Sequence, residues 1–407
     1  MTYKRIISVF LTATILLVGL GGCVSDNAVK TNGFYKIMQM KSVSELNESA
    51  ISSLDQNITA LNLSMYSGTL EIRDICFFED DLIGVLLHGM DQIISEESTE
   101  LNFTLIVFSI LNMNPLYQVL FKTQPVMTQS DSKQIAYSMD FVKSGENQAL
   151  VLSRNEGWAV SEMFFAVTKT GVTEISRDQV YSHRLSDSVS ILEDQNNLVL
   201  KHKGETETLL SGFYYIDPNT VDDPLAWENY SFFCRLDNNR FVYEKYGWEW
   251  LDETGIFDLE TGESTSFVYE NVNPLRLCTT DGSRIVLTPE RDSGFSSYGP
   301  YLYDDTTGEV TDLDWLDYTY MDEIEPDFFL VENTLVAFID DSFTPALRLF
   351  DLETKTEKSQ IDFSNQYNLS QSRMEFMISG KYLYFFSLSW SWNSFLFRIP
   401  IGEVTKR

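Results

Sequence analysis

The sequence predicts an all-β protein, a single β-propeller of about seven four-stranded antiparallel blades. Two recurring patterns carry the prediction. The first is strand, tight turn, strand, as in Gly255-Ile256-Phe257-Asp258-Leu259-Glu260-Thr261-Gly262-Glu263. It returns at Tyr301–Glu309, Leu349–Thr356 and Leu396–Glu403, and Phe257, Tyr303, Phe350 and Phe397 are 46, 47 and 47 residues apart. A fixed period of that size marks a repeat architecture, and a strand-turn-strand unit marks a propeller blade. The second pattern is another hairpin, found seven times: Cys76–Val85, around Ser144–Asn147, Ile191–Leu200, Cys234–Tyr243, Cys278–Leu287, Leu330–Phe338 and Met377–Tyr384. Asn, Asp and Gly fill its turns because tight hairpins need positive φ.

The first pattern is the partner of the second in each unit. Working backwards it recurs at Tyr215–Thr220, Val167–Gly171 and Ile110–Pro115, which also makes seven. Two hairpins give a blade with strands A, B, C and D. Seven blades close into a disc with no free sheet edge. The turns and their period resemble bacterial extracytoplasmic β-propellers of the TolB and WD40-like kind, over residues 68–407. The regular Trp-Asp dipeptide of the latter is missing.

The N-terminus carries an address. Lys4 and Arg5 precede an apolar run from Ile6 to Leu20, and Leu20-Gly21-Gly22-Cys23 follows. Residues 1–22 therefore read as a signal peptide and are excluded from the fold. Small residues before Cys23 let a peptidase approach the backbone. The segment resembles the lipobox of bacterial lipoproteins. The resemblance implies that Cys23 is lipidated, with acyl chains such as palmitate, and becomes the mature N-terminus. The alternative is an uncleaved anchor, but the run is short for a span, which needs about 20 apolar residues. Either way the body is expected outside the cytoplasm, tethered to the cell membrane, its partner through the lipid.

Residues 23–67 are expected to hold the lipidated Cys, a polar tether at 24–33, one strand at Gly33–Lys41, and a short helix or ordered linker at Ser42–Asp55. The chain ends five residues after Gly402, which leaves a short outer strand for the last blade. The strand near Phe34–Met40 is expected to pair there and close the ring, because an unpaired edge is costly.

Composition fits a large core, with 43% hydrophobic and 22% charged residues. The formal charge is −31, and losing Lys4 and Arg5 makes it −33. Such a body is repelled by phosphate backbones, so no nucleic-acid partner is expected. Beyond Cys23 the cysteines are Cys76, Cys234 and Cys278, an odd number in strand-like runs, read as buried thiols rather than a disulfide framework. His88, His183 and His202 lack metal-ligand spacing, so neither a metal nor a cofactor is expected.

Topology sorts the loops. The A–B and C–D turns share one face, and the B–C turns and D–A connections share the other. All seven tryptophans fall in the second set. Trp158, Trp248, Trp250, Trp390 and Trp392 lie in B–C segments, and Trp227 and Trp315 in D–A connections. Tyr298 joins them, with carboxylates such as Glu249 and Asp314 interleaved. An aromatic and acidic loop face suits sugar rings or cationic peptide groups. A single tryptophan ordinarily packs between blades; the one-sided distribution is what favours a site. No Gly-x-Ser-x-Gly elbow, P-loop or dinucleotide fingerprint occurs, so no catalytic residue is assigned. The expected function is a membrane-anchored extracytoplasmic binding protein for a glycan or peptide. The alternatives are a scaffold or accessory subunit that docks a protein in an envelope complex, and a glycan-active enzyme using two loop carboxylates.

Overall fold

The computed structural model describes residues 29–31, 35–40, 50–55, 58–68, 70–88, 92–95, 98–123, 126–127, 135–156, 159–216, 224–247, 251–267, 275–280, 283–289, 300–316, 328–331, 333–339, 346–363, 367, 369, 373–388 and 394–400. The protein is a seven-bladed β-propeller. The A–B–C–D order is clearest in the second blade: Ile135–Ser144, Asn147–Glu156, Ala159–Thr168 and Gly171–Ile175, each antiparallel to the next. The fifth and sixth blades repeat it over Leu275–Asp312 and Phe328–Asp362. Strands form here because apolar residues alternate on two faces, and each face packs against a neighbouring blade. In the fourth blade Cys234, Val242 and Ile256 meet Ile285, Leu287 and Tyr301 of the fifth. Phe232, Phe241, Tyr243 and Phe257 meet Leu185, Ile191 and Leu198 of the third.

The ring is closed by an N-terminal strand, but not the one the sequence suggested. Tyr35–Met40 pairs with Asn114–Thr123, the outer strand of the first blade, and Val29–Thr31 pairs outside it. The last blade, Arg373–Ser379, Tyr382–Leu388 and Phe395–Pro400, takes its fourth strand from Ile58–Asn62. Ile51–Asp55 pairs beyond that, so a strand stands at the end of the segment expected to be a short helix or ordered linker, and the ring recruits chain N-terminal to residue 68. Ile58–Asn62 wins the position because Ala60 and Leu61 are fully buried there, facing opposite neighbours.

The third unit is also irregular. Its sheet runs Ser182–Arg184, Val189–Asp194, Asn197–His202, Glu205–Ser211. The hairpin expected at Tyr215–Thr220 joins Phe213–Ile216 to Pro224–Arg235 and so belongs to the fourth sheet. Gly212 makes the break. A Cβ there would lie 2.3 Å from the Glu228 carbonyl and 2.4 Å from that of Asn196, so only glycine lets the two backbones cross. The first blade adds a small sheet, Gln92–Ser95, Ser98–Glu100 and Val126–Met127, between its B and C strands and after its D strand.

Candidate binding face

The two faces of the disc do different work. The tight-turn face staples blade to blade. Arg240 donates both guanidinium nitrogens to Asp305 of the next blade, at 2.9 and 2.8 Å, and its Nε to Asp237 at 2.7 Å. These bonds to Asp305 and then Asp237 hold the Arg240 cation above its usual range. Arg284 donates to Asn333 Oδ1 at 3.1 Å, linking the fifth and sixth blades. Ser379 donates to Asp81 across the seam between the last and first blades. Lys169 approaches Asp80 at 3.8 Å. Asn147 donates to the carbonyls of Val180 and Ser182 at 2.8 and 3.1 Å.

At the opposite face strand B meets strand C, and strand D meets strand A of the next blade. In the third blade the B–C turn is only Gln195-Asn196. Open depressions occur on both faces. One, about 810 Å³, lies on the tight-turn face beside the A–B and C–D turns of the third blade, between Ser182–Ser190 and Lys201–Thr206. The other, about 670 Å³, is lined by Val160, Glu162, Phe164 and Arg177.

The described part richest in aromatic and acidic groups is the loop-face end of the fourth blade. Strand alternation gives it two sides. On the side of the third blade, Tyr243 donates to Glu253 Oε1, which also accepts from Ser266 at 2.7 Å. Lys245 pairs with Glu228 at 2.9 Å and lies 5.9 Å from the Tyr230 ring. Burial first, and then the bond to Glu253, holds the Tyr243 hydroxyl well above its usual range. Burial also raises Tyr230. On the side of the fifth blade, Tyr246 donates to Glu244 Oε2 at 2.7 Å, and Glu244 is only 7% exposed.

Of the residues singled out from the sequence, Trp315, Asp314 and Trp227 fall within the described residues. Trp315 is half-buried and packs edge-to-face on Phe350, with centroids 6.2 Å apart, in the cluster that joins the fifth and sixth blades. Its Nε1 is buried with no hydrogen-bond partner. Asp314 beside it is exposed. Trp227 lies in the strand Pro224–Arg235, opposite Tyr214. Trp158, Trp248, Glu249, Trp250, Tyr298, Trp390 and Trp392 lie outside the described residues. Cys76 and Cys234 are buried thiols outside any disulfide, and burial pushes the Cys234 thiol up to about 12. Among the described residues no three His, Cys, Asp or Glu side chains converge on a metal position.

Sequence reading missed one polar cluster. His183 is buried and stacks on Phe232, with centroids 4.0 Å apart. Its Nε2 lies 3.0 Å from Ser144 Oγ and 3.3 Å from Glu193 Oε1, which accepts the Phe232 N–H at 2.8 Å. The residue types are those of a hydrolytic triad, but the geometry is not. A triad needs the acid on one ring nitrogen and the hydroxyl on the other. Here both fall on Nε2, and Nδ1 faces the Asn147 amide at 3.4 Å. Ser144 is 6% exposed, so its hydroxyl has no open approach. The cluster joins the second, third and fourth blades. Its only sequence signal was a His and a Glu on strands two residues from turns, which has no fixed spacing to detect.

The sequence matches no protein-family model and no curated protein. Among solved structures it is similar to a post-proline cleaving enzyme from Rickettsia typhi, at 10% identity and a TM-score of 0.43, covering 82% of this chain and 52% of that one. It is similar to a prolyl endopeptidase at 12% identity and a TM-score of 0.40, covering 82% and 48%. The β-propeller domain of the Trilobed protease from Pyrococcus furiosus matches at 10% identity and a TM-score of 0.35, covering 81% and 93%. The chain thus spans about half the length of the two endopeptidases. The chemistry of this chain is read from its own residues.

Proposed function

We infer that the chain is a binding module, tethered outside the cytoplasm through a lipid on Cys23, which holds a glycan or peptide on its B–C and D–A loop face. One observation carries the reading: the division of labour between the faces. The tight-turn face is committed to holding blades together through Arg240, Arg284, Asp81 and Asn147. The loop face holds the depression beside Val160 and Phe164, and the tryptophans of the sequence are expected on it. Function is built on loops that a rigid scaffold holds in place.

The test is a glycan and peptide array on the purified chain, beside a variant with Trp248, Trp250, Trp390 and Trp392 changed to Ala. Binding that disappears in a folded variant supports the reading. Binding that survives removes the loop face as the site. No binding by the intact chain, with a protein captured by crosslinking in the native membrane, replaces the reading with a scaffold. Recovery of Cys23→Ala in the soluble fraction, when the parent chain sediments with membranes, tests the anchor.

A further inference from the structure

The second blade leaves part of one strand uncovered. Its third strand, Ala159–Thr168, has ten residues, and its outer strand, Gly171–Ile175, has five. The ladder between them runs from Thr168 opposite Gly171 to Phe164 opposite Ile175 and stops. The stop has a local cause. Ser176 is the N-cap of the helix Arg177–Val180, and its N–H goes to Gln179 Oε1 at 2.9 Å rather than to a ladder. The chain turns away there, and among the described residues no strand lies beside Val160 and Glu162 on the outer side.

Alternation fixes which backbone groups face that opening. The two-residue turn 169–170 closes on the pair Thr168 and Gly171, and the bonded pairs then fall at every second residue: Thr168, Ala166 and Phe164. Glu162 and Val160 continue the series, so their N–H and C=O groups point outward. Their side chains share the face of Phe164, because residues two apart on a strand do. That face borders the open depression of about 670 Å³, which Val160, Glu162, Phe164, Ile175 and Arg177 line at the end of the strand nearest the loop face. Val160 is 60% exposed and Glu162 is exposed, while Phe164 is buried as the floor. A cavity, an open approach and an unpaired edge therefore coincide, and such an edge is a template for another strand.

We propose that this edge takes an extended peptide as an added antiparallel strand, collinear with Gly171–Ile175, with a basic residue opposite Glu162 and an apolar residue opposite Val160. The proposal rests on the loop face being the binding face, and it chooses peptide over glycan as the ligand class. The backbone groups of Val160 and Glu162 supply the main-chain bonds, and their side chains supply the choice of sequence, as in strand addition to a sheet edge. Directly opposed residues on one face sit about 5 Å apart, within reach of an ion pair or an apolar contact. The excess of 60 acidic over 29 basic residues favours a cationic partner. A sugar has no row of N–H and C=O groups at the spacing of a strand and gains nothing from the phase of this edge.

The test is calorimetric titration of the full chain, in detergent and about 150 mM salt to screen the acidic surface, with acetyl-Thr-Lys-Thr-Val-Thr-amide. In the antiparallel register this peptide puts lysine opposite Glu162 and valine opposite Val160. N-methylation of its lysine and valine nitrogens, which face the edge, is expected to weaken binding at least tenfold. N-methylation of the central threonine, which faces away, is expected to change it less than threefold. Val160→Pro deletes an outward N–H and no ladder bond. It is expected to leave the melting temperature close to that of the parent and to weaken binding at least tenfold. Glu162→Lys is expected to weaken the lysine peptide at least fivefold and to bind its glutamate counterpart as well as the parent binds the original. Failure of the intact chain to bind the peptide overturns the proposal. So does equal binding of the two N-methylated peptides, or a collapse in the melting temperature of Val160→Pro, which would mean that its N–H is already engaged. A dimer of the parent chain that Val160→Pro dissociates gives the edge to a second copy and overturns it too. If an array ligand needs the loop tryptophans but is indifferent to Val160→Pro and Glu162→Lys, this inference fails and the loop-face reading stands.

Discussion

Asp258, Asp304 and Asp351 hold the same place in three successive C–D turns, and each accepts a backbone N–H two residues on. The turn then closes through a left-handed residue four positions after the Asp. Gly262 and Gly308 sit there at φ +73°, and Lys355 at φ +54°. A side chain in that region costs about 1–2 kcal/mol, part of which glycine returns through its freedom in the unfolded chain. Lys355→Gly is therefore expected to stabilise the protein by about 0.5 kcal/mol, read as a higher urea midpoint with an unchanged slope. An unchanged or lower midpoint means the turn holds Lys355 without strain. Asp351 also carries a pH dependence. The Thr354 N–H first, and then Lys358, hold its carboxyl down at about 2, against an ordinary 3.8. A depressed pKa gives stability that is present above the ordinary value and lost as pH falls through the folded one. The advantage of the parent chain over Asp351→Asn is expected to be full above pH 5 and gone near pH 2. Thermal melts of both across that range check it, and a constant difference removes Asp351 as a linked group. These turns were legible in the sequence because the requirement is local: an acceptor, then a residue that tolerates positive φ. The fourth copy was misleading for the same reason. Arg398 stands where the Asp should be, and it reaches Thr59 of Ile58–Asn62, the strand that pairs beside Phe395–Pro400.

That replacement strand is the element the local signals hid. Ile58–Asn62 forms a hairpin with Ile51–Asp55 beside it in sequence, but its place in the ring comes from the other edge, where Phe395 faces Asn62 across more than 330 residues. Periodicity reports which residues can form a strand, while the choice of partner is set by which edge remains open once six blades have formed. Tyr35–Met40 looked equally able to close the ring, and it pairs instead with the long outer strand of the first blade. The segment from 29 to 62 thus lies along both sides of the seam, with unequal consequences. Of the described residues, removal of 1–49 takes away Val29–Thr31 and Tyr35–Met40, an outer layer of the first blade, and is expected to leave a monomeric, cooperatively folding ring. Removing residues 1–62 uncovers Phe395–Pro400 as a bare edge and is expected to give association or loss of the folded state. Leu61→Asp, which places a carboxylate in a fully buried position, is expected to cost more than about 3 kcal/mol. Size-exclusion chromatography and denaturant unfolding separate these cases. A well-behaved monomer starting at residue 63 removes the closing role of the strand.

For the molecule as a whole, the sequence showed the ring and its seven units, because both follow from counting hairpins; the sorting of turns failed in the third unit, where Ile191–Leu200, expected as an A–B hairpin, is the B–C hairpin of its sheet. It did not show which tryptophans are structural. Trp315 turned out to bridge two blades, a role set by Phe350 some distance along the chain. Nor could alternation say that Lys245 would pair with Glu228, or that Glu253 would accept from Tyr243 and Ser266, since those groups come from four different strands. Charge is the remaining property that belongs to no single blade. The chain has 60 acidic and 29 basic residues. Its favourable pairs, such as Arg240 with Asp305 and Arg73 with Asp140, are close and partly buried. Its unfavourable ones are spread over the surface, at separations where salt acts most strongly. The screening length falls from about 30 Å at 0.01 M to about 8 Å at 0.15 M, so added salt removes long-range repulsion before it touches contact pairs. The melting temperature is therefore expected to rise with sodium chloride over that interval and then level off. A fall on adding salt would mean that the contact pairs outweigh the excess of carboxylates, and that the acidic surface is compensated where it stands.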